Sequence, residues 1–240
     1  MKTVVITGAS KGLGKALALA FAKQGYNLAI CARGEERLQE VKRMTEELGS
    51  TVLAVKADVT NQRDVEAFIS MTESRFGQID VLINNAAVLG PSPMPLLLDY
   101  SEVDFMNVIK ANSLSPFMVT KRVLHGMLQR NEGSIINVTS EAGQKGYAGW
   151  GAYGISKFAL EGLTETWADE LSETNIRINM IDPGSMDTDM YALADPNHNE
   201  ELAKPEEVLG AFVYLASNHS RHINGKRFEA QKFELEQEGL

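Results

Sequence analysis

The chain has 240 residues, of which 44% are hydrophobic and 23% charged, and a formal net charge of −9. That apolar fraction supports a buried core and excludes wholesale disorder. The acidic balance opposes nucleic-acid or anionic-membrane binding, which both need a basic footprint. The charge is uneven: residues 1–120 carry 12 Lys/Arg against 13 Asp/Glu, and residues 121–240 carry 11 against 19. Part of that excess lies in 200–207 and in an acidic C-terminal tail at about 231–240. A single cysteine, Cys31, forms no internal disulfide, and no Cys/His cluster has metal-ligand spacing, so no metal site is expected. The apolar run before Gly8 is too short for a signal-peptide core, and no stretch reaches the length of a membrane span. A soluble, cytoplasmic protein is the expectation.

Along the chain, β-branched or aliphatic runs occupy 3–7, 27–32, 51–57, 80–84, 134–139 and 176–181, with a last short strand candidate at 226–230. Most are continuous rather than alternating, as strands covered on both faces require. Helical periodicity fills 12–24, 35–48, 61–76, 100–130, 152–173 and 205–217. Strands alternating with helices predict an open parallel sheet sandwiched by helices. No linker, repeat or low-complexity block interrupts 1–240, so one domain is expected. The least regular stretches, 86–98, 141–151 and 183–204, each follow the carboxyl end of a strand, where ligands bind in open α/β sheets.

The first strand runs into Thr7-Gly8-Ala9-Ser10-Lys11-Gly12-Leu13-Gly14 and then directly into a helix. Such a turn brings backbone N–H groups and the positive end of the helix dipole to a phosphate. Its Gly-x3-Gly-x-Gly spacing differs from the usual Gly-x-Gly-x-x-Gly and resembles the cofactor loop of the short-chain dehydrogenase/reductase family. The resemblance covers about residues 1–225. It implies a single-domain α/β protein over 1–240, a doubly wound Rossmann fold with a mostly parallel seven-stranded sheet and helices on both faces.

Several further motifs carry the same resemblance. Asp58-Val59 matches the family's adenine-contacting pair, although an Asp there could also cap the helix near Asn61. Asn84-Asn85-Ala86-Ala87 resembles Asn-Asn-Ala-Gly, with Ala87 replacing the last glycine. Asp182-Pro183-Gly184-Ser185-Met186-Asp187-Thr188 resembles the Pro-Gly segment, in which Thr188 would bind the nicotinamide carboxamide and the backbone near Met186 would orient the ring. The second strand ends at Ala32-Arg33. Aligned with the family, Ala32 stands where NAD-preferring members have an acid, and Arg33 follows it. A missing carboxylate and two cations, Arg33 and Lys11, favour the 2′-phosphate of NADP(H).

Tyr153 and Lys157 lie one helical turn apart on one face. Ser140 ends the fifth strand, and Asn112 sits within the long helical stretch 100–130. In identity and order these match the family's Asn, Ser, Tyr and Lys tetrad. The resemblance implies hydride transfer between nicotinamide and a small-molecule carbonyl or secondary alcohol. Tyr153 would be the general acid/base, its pKa lowered by Lys157 and by the oxidised cofactor. Ser140 would polarise the substrate oxygen, Lys157 would also bind the nicotinamide ribose, and Asn112 would place a water that relays protons to Lys157. The alternative is a non-catalytic NADP(H)-binding sensor or scaffold; its expected mark, a lost Tyr, Lys or Ser, is absent.

The last strand departs from the family. It reads Lys226-Arg227-Phe228-Glu229-Ala230-Gln231, where Val-Asp-Gly-Gly is common. That strand often lies at a subunit interface in the family, which implies a homodimer or homotetramer. The segment 188–204 is short for a lid, and Leu89, Met94, Trp150, Met186 and Tyr191 form the expected pocket lining. An uncharged carbonyl compound with an apolar flank fits such a lining.

Overall fold

A computed structural model of the protein describes residues 1–199 and 201–234. Of the expected acidic tail, residues 235–240 lie outside the described residues. Seven strands form one sheet: β1 (Thr3–Thr7), β2 (Asn27–Ala32), β3 (Val52–Lys56), β4 (Val81–Asn84), β5 (Gly133–Val138), β6 (Ile176–Asp182) and β7 (Arg227–Glu229). Their order is β3-β2-β1-β4-β5-β6-β7, and every pair is parallel. The sheet is thus wholly parallel, and the strands lie within a residue or so of the predicted runs.

The helices α1 (Gly12–Lys23), α2 (Glu35–Glu47), α3 (Gln62–Phe76), α4 (Glu102–Ile109), α5 (Ser115–Arg130), α6 (Gly151–Glu170), α7 (Asp189–Ala194) and α8 (Gly210–Ala216) complete the frame. Alternate strand residues feed two cores. Val4, Ile6, Leu28 and Ile30 pack against Leu17 and Phe21 of α1, Leu38 of α2 and Phe212 of α8. Val5, Ala29 and Ile135 pack against Phe68 of α3 and Val123 and Met127 of α5. Because both faces are covered, the inner strands are mostly apolar and their polar residues are hydrogen-bonded inside, as Asn84 and Asn137 are; β1, β4, β5 and β6 are buried throughout. Each fully buried Leu, Ile or Phe contributes about 1.5–3 kcal/mol relative to exposure.

Two predicted helices change form. The stretch 100–130 is not continuous: α4 and α5 are joined by a π-helical turn over Lys110–Leu114. Pro116 stands in the first turn of α5, and proline has no N–H to give the carbonyl four residues back, that of Asn112. The α-helical ladder cannot run through that point, and the Ser115 N–H bonds Lys110 O instead. The predicted helix at 205–217 begins as a 3₁₀ turn over Pro205–Val208 before α8.

Among the described residues, no helix is long and apolar enough to cross a membrane. No three His, Cys, Asp or Glu side chains among them gather where a metal ion could sit.

Candidate active site

The order of the sheet reverses between β1 and β4, so the loops beyond their carboxyl ends diverge and leave a crevice. A cleft of ≈ 1440 Å³ lies there. It runs from the glycine loop, past Arg33, Asp58 and Val59, along Asn85, Ala86 and Ala87, to Ser140, Tyr153 and Lys157, and is closed by Pro183, Gly184, Met186 and Thr188. Every residue expected at the cofactor and catalytic sites lines it except Asn112. Of the expected apolar lining, Leu89, Trp150, Met186 and Tyr191 are present. Met94 is not part of the wall; it packs against the small core around Leu89, Val108 and Ala142.

The glycine loop is fixed by sites that local sequence does not reveal. Gly8 and Gly12 have φ of +69° and +51°, a region that favours glycine. Asn85 Nδ2 donates to the carbonyls of Thr7 (2.8 Å) and Gly8 (3.1 Å), while Thr7 Oγ1 accepts the N–H groups of Asn85 (3.1 Å) and Ala86 (3.0 Å). The β4 end is thereby sewn to the loop. Asn84, the first residue of the Asn-Asn-Ala motif but one given no role by the sequence, donates to Thr120 Oγ1 (2.9 Å) and Asn137 Oδ1 (2.8 Å) in the interior. Polar residues at the ends of otherwise apolar strands were the available signal.

Asp58 does not cap α3. Its carboxylate accepts the Thr60 N–H at 2.9 Å, and Asn61 caps the helix by accepting the Arg63 N–H at 2.9 Å. Lys11 pairs with Asp189 of α7 at 2.9 Å, with Arg37 3.6 Å from the same carboxylate. This exposed contact spans the cleft from the glycine loop to α7, and Lys11 and Arg37 hold Asp189 below the usual carboxylate range. Arg33 is exposed on the cleft wall.

Ser140 caps the 3₁₀ turn that follows β5, its Oγ accepting the Ala142 N–H at 3.3 Å. Its side chain also favours the ionised form of the Tyr153 phenol. Tyr153 is 9% exposed, and the Trp150 ring meets it edge-on at 5.6 Å. Lys157 is buried; its Nζ donates to Val138 O at 2.7 Å and lies 5.5 Å from the centre of the Tyr153 ring. Burial pushes the phenol up to about 12, against the pull of Ser140, and Asp182 adds to the rise. Burial pushes the Lys157 ammonium down to about 8, although Asp182 and Glu161 favour its charge. The expected lowering of the Tyr153 pKa is therefore absent in the free protein: loss of water is the largest effect on both groups.

Asn112 stands in the π turn, 1% exposed. Its Oδ1 accepts the Val88 N–H (2.8 Å), and its Nδ2 donates to Val88 O (2.9 Å) and Ser156 Oγ (3.0 Å). Both amide hydrogens are committed, so this side chain braces the β4 loop against α6. Ser156 passes the brace on, donating to the carbonyl of Tyr153 at 2.6 Å.

The family model for short chain dehydrogenases matches residues 2–199. The chain is 33% identical to a 3-oxoacyl-[acyl-carrier-protein] reductase of Thermotoga maritima, over 94% of each chain. Among solved structures it is similar to a short chain dehydrogenase of Pseudomonas syringae, with a TM-score of 0.91, 35% identity, and coverage of 96% of this chain and 94% of the other. An actinorhodin polyketide ketoreductase bound to NADPH superposes with a TM-score of 0.90 at 26% identity, covering 97% of this chain and 98% of that one. From the glycine loop to the last strand of its sheet, the protein is an oxidoreductase of the short-chain dehydrogenase family.

Proposed function

We propose that the protein is an NADP(H)-dependent carbonyl reductase or secondary-alcohol dehydrogenase that uses Tyr153 as its general acid/base. The observation that carries this is the placement of a buried Tyr153, sharing the cleft wall with Ser140 and one turn from Lys157, at one end of a cleft whose other end is a glycine loop. The cleft residues fit the dinucleotide: the glycine loop leaves space for a phosphate, and Arg33 offers a guanidinium where an NAD site would carry an acid. NADP(H), when bound, supplies or accepts the hydride. NADPH is also the cofactor of the ketoreductase relative.

The protein residues divide the remaining work. Ser140 presents a hydroxyl beside the phenol, so a carbonyl oxygen accepting from both is polarised and held. Charge that develops on that oxygen is met by the phenol proton, which Tyr153 retains because burial keeps it protonated. Lys157 and the Asn112–Ser156 brace keep the tyrosine in register. Leu89, Trp150, Met186 and Tyr191 exclude water on the substrate side, while Glu141, Gln144 and Tyr147 form a polar rim. An uncharged carbonyl compound with an apolar flank suits this mixture. A 3-oxoacyl thioester, the substrate type named for the Thermotoga maritima relative, is the first compound to assay.

Cofactor choice is tested by titration with NADPH and NADH, read by calorimetry and by tryptophan emission. NADPH should bind tightly and NADH weakly. Ala32→Asp should weaken NADPH by about 10- to 100-fold, the worth of a charge-assisted contact turned repulsive, and leave NADH unchanged or improved. Unchanged selectivity would show that the discriminating position lies elsewhere.

We infer a homo-oligomer, a dimer or tetramer, assembled through α4 and α6. These helices expose Val103, Met106, Ile155 and Phe158 at 71, 59, 43 and 47%, and contiguous apolar surface of this kind marks interfaces. Sedimentation of Phe158→Glu should show the monomer where the parent protein sediments as a larger species.

A further inference from the structure

Behind Lys157 lies a buried charge cluster that the chemistry above leaves unused. Arg227, on edge strand β7, donates from Nε to Glu161 Oε1 at 3.2 Å and from Nη2 to Asp182 Oδ2 at 2.8 Å. Its Nη1 lies 3.7 Å from Glu229 Oε1. The side chains of Arg227, Glu161 and Asp182 are 13, 10 and 10% exposed. Glu161 Oε1 also accepts the Thr139 hydroxyl at 2.6 Å, and Asp182 Oδ1 accepts the Gly184 N–H at 2.9 Å. Glu161 stands one turn beyond Lys157 on α6, and Asp182 ends the strand beside β5, whose Val138 carbonyl holds Lys157 Nζ.

We propose that Arg227 is a positioning residue of the active site: by holding Glu161 and Asp182 it keeps both carboxylates off Lys157, so that the ammonium stays on Val138 and beside the Tyr153 ring. The inference rests on the reading of Tyr153 and Lys157 as the catalytic pair. Two buried carboxylates demand compensation by a nearby cation, and among the described residues the buried cations acting on them are Arg227 and Lys157. The guanidinium is not a receptor for a substrate acid, because its donors are already directed at protein carboxylates.

Lys157 meets Tyr153 on α6 and the carbonyl of Val138 at the end of β5, and feels the charges of Glu161 on α6 and Asp182 on β6; Thr139 bonds Glu161, and Arg227 and Glu229 of β7 stand behind those carboxylates. Lys232, paired with Glu229, and Glu141, bonded to Tyr147, lie further out. Asp182 and Glu161 both favour the charged lysine, and Asp182 also disfavours tyrosinate. Removing the guanidinium frees both carboxylates of their ion-pair partner and leaves burial alone to oppose the charge on Lys157.

The test is the titration of Lys157 in the free protein, which needs neither substrate nor turnover. Lysines labelled with ¹³C at Cε are followed by NMR against pH, and the Lys157 signal is assigned by its loss in Lys157→Arg. Arg227→Met should raise the proton affinity of Lys157 about tenfold, one pKa unit. Arg227→Lys should restore it to within about twofold, and Asp182→Asn should lower it. Arg227→Gln, which keeps an amide donor for the carboxylates, carries the same expectation where Arg227→Met does not fold. An unchanged Lys157 titration in the charge-removing variants overturns the proposal. So does failure of both to fold while Arg227→Lys folds, since the role is then structural. Turnover retained by Tyr153→Phe would remove the acid–base reading without altering these titrations, so the two failures are distinguishable.

Discussion

Tyr153→Phe is expected to bind NADPH within about twofold of the parent protein and to lose turnover by about 10²–10⁴-fold, the usual contribution of a positioned general acid. The ring is buried against Trp150 and anchored by a helix whose brace runs through Ser156 to the backbone carbonyl of residue 153. Deleting the hydroxyl leaves that packing intact and removes only the proton donor. The Ser140 hydroxyl would remain and could still polarise a carbonyl, which accounts for residual activity. Stopped-flow oxidation of NADPH with a reducible ketone, beside calorimetric binding, separates the two quantities. Parent-like turnover would assign the proton to another group.

Gly14→Ala should be the most damaging single-methyl change in the chain. A Cβ there would overlap the Gly8 carbonyl oxygen and sit 2.6 Å from Asn85 Nδ2 and 2.9 Å from Ala9 Cα. None of these atoms ends a flexible chain: each belongs to the loop or to the amide that sews it to β4. Overpacking of this kind costs about 1–3 kcal/mol, and each kcal/mol lowers the melting temperature of a chain this size by about 2–4 °C. The distorted loop should also weaken NADPH at least about tenfold, as a misplaced phosphate site loses its backbone donors. Gly146→Ala is the control, since no heavy atom lies within 4 Å of its added carbon, its φ lies outside the left-handed region and it is no part of the cleft wall. It should melt and bind like the parent; an equal loss in both variants would mean that the clash at position 14 is not the cause.

What was legible in the sequence was local. Thr-Gly-x3-Gly-x-Gly identified the cofactor loop because turn chemistry depends on neighbours, and continuous apolar runs marked strands because both faces are covered. The four-residue spacing put Tyr153 and Lys157 on one face, yet it carried no information about burial. Burial is the largest influence on both groups in the free protein. The π turn at Asn112 was hidden by helical periodicity on either side, and Pro116 was its one signal. The Arg227 cluster joins residues 66 and 45 positions apart; nothing in a window of neighbours could reveal it.

The sheet order has a consequence for synthesis. Growth from the first strand proceeds outward to β3, then restarts on the opposite edge of β1 when Val81–Asn84 pairs there, and continues in chain order to β7. A nascent chain stalled before residue 81 therefore carries β1, a strand buried throughout in the finished fold, with an unpaired edge, a template for wrong association. At about 5–20 residues per second, the ribosome holds that edge open for seconds. Once completed, the sheet ends on β7, a three-residue strand that carries Arg227 and Glu229. A short, charged edge of this kind resists addition of another chain. The vulnerable moment of this protein thus falls early in its own translation, before the fourth strand is made.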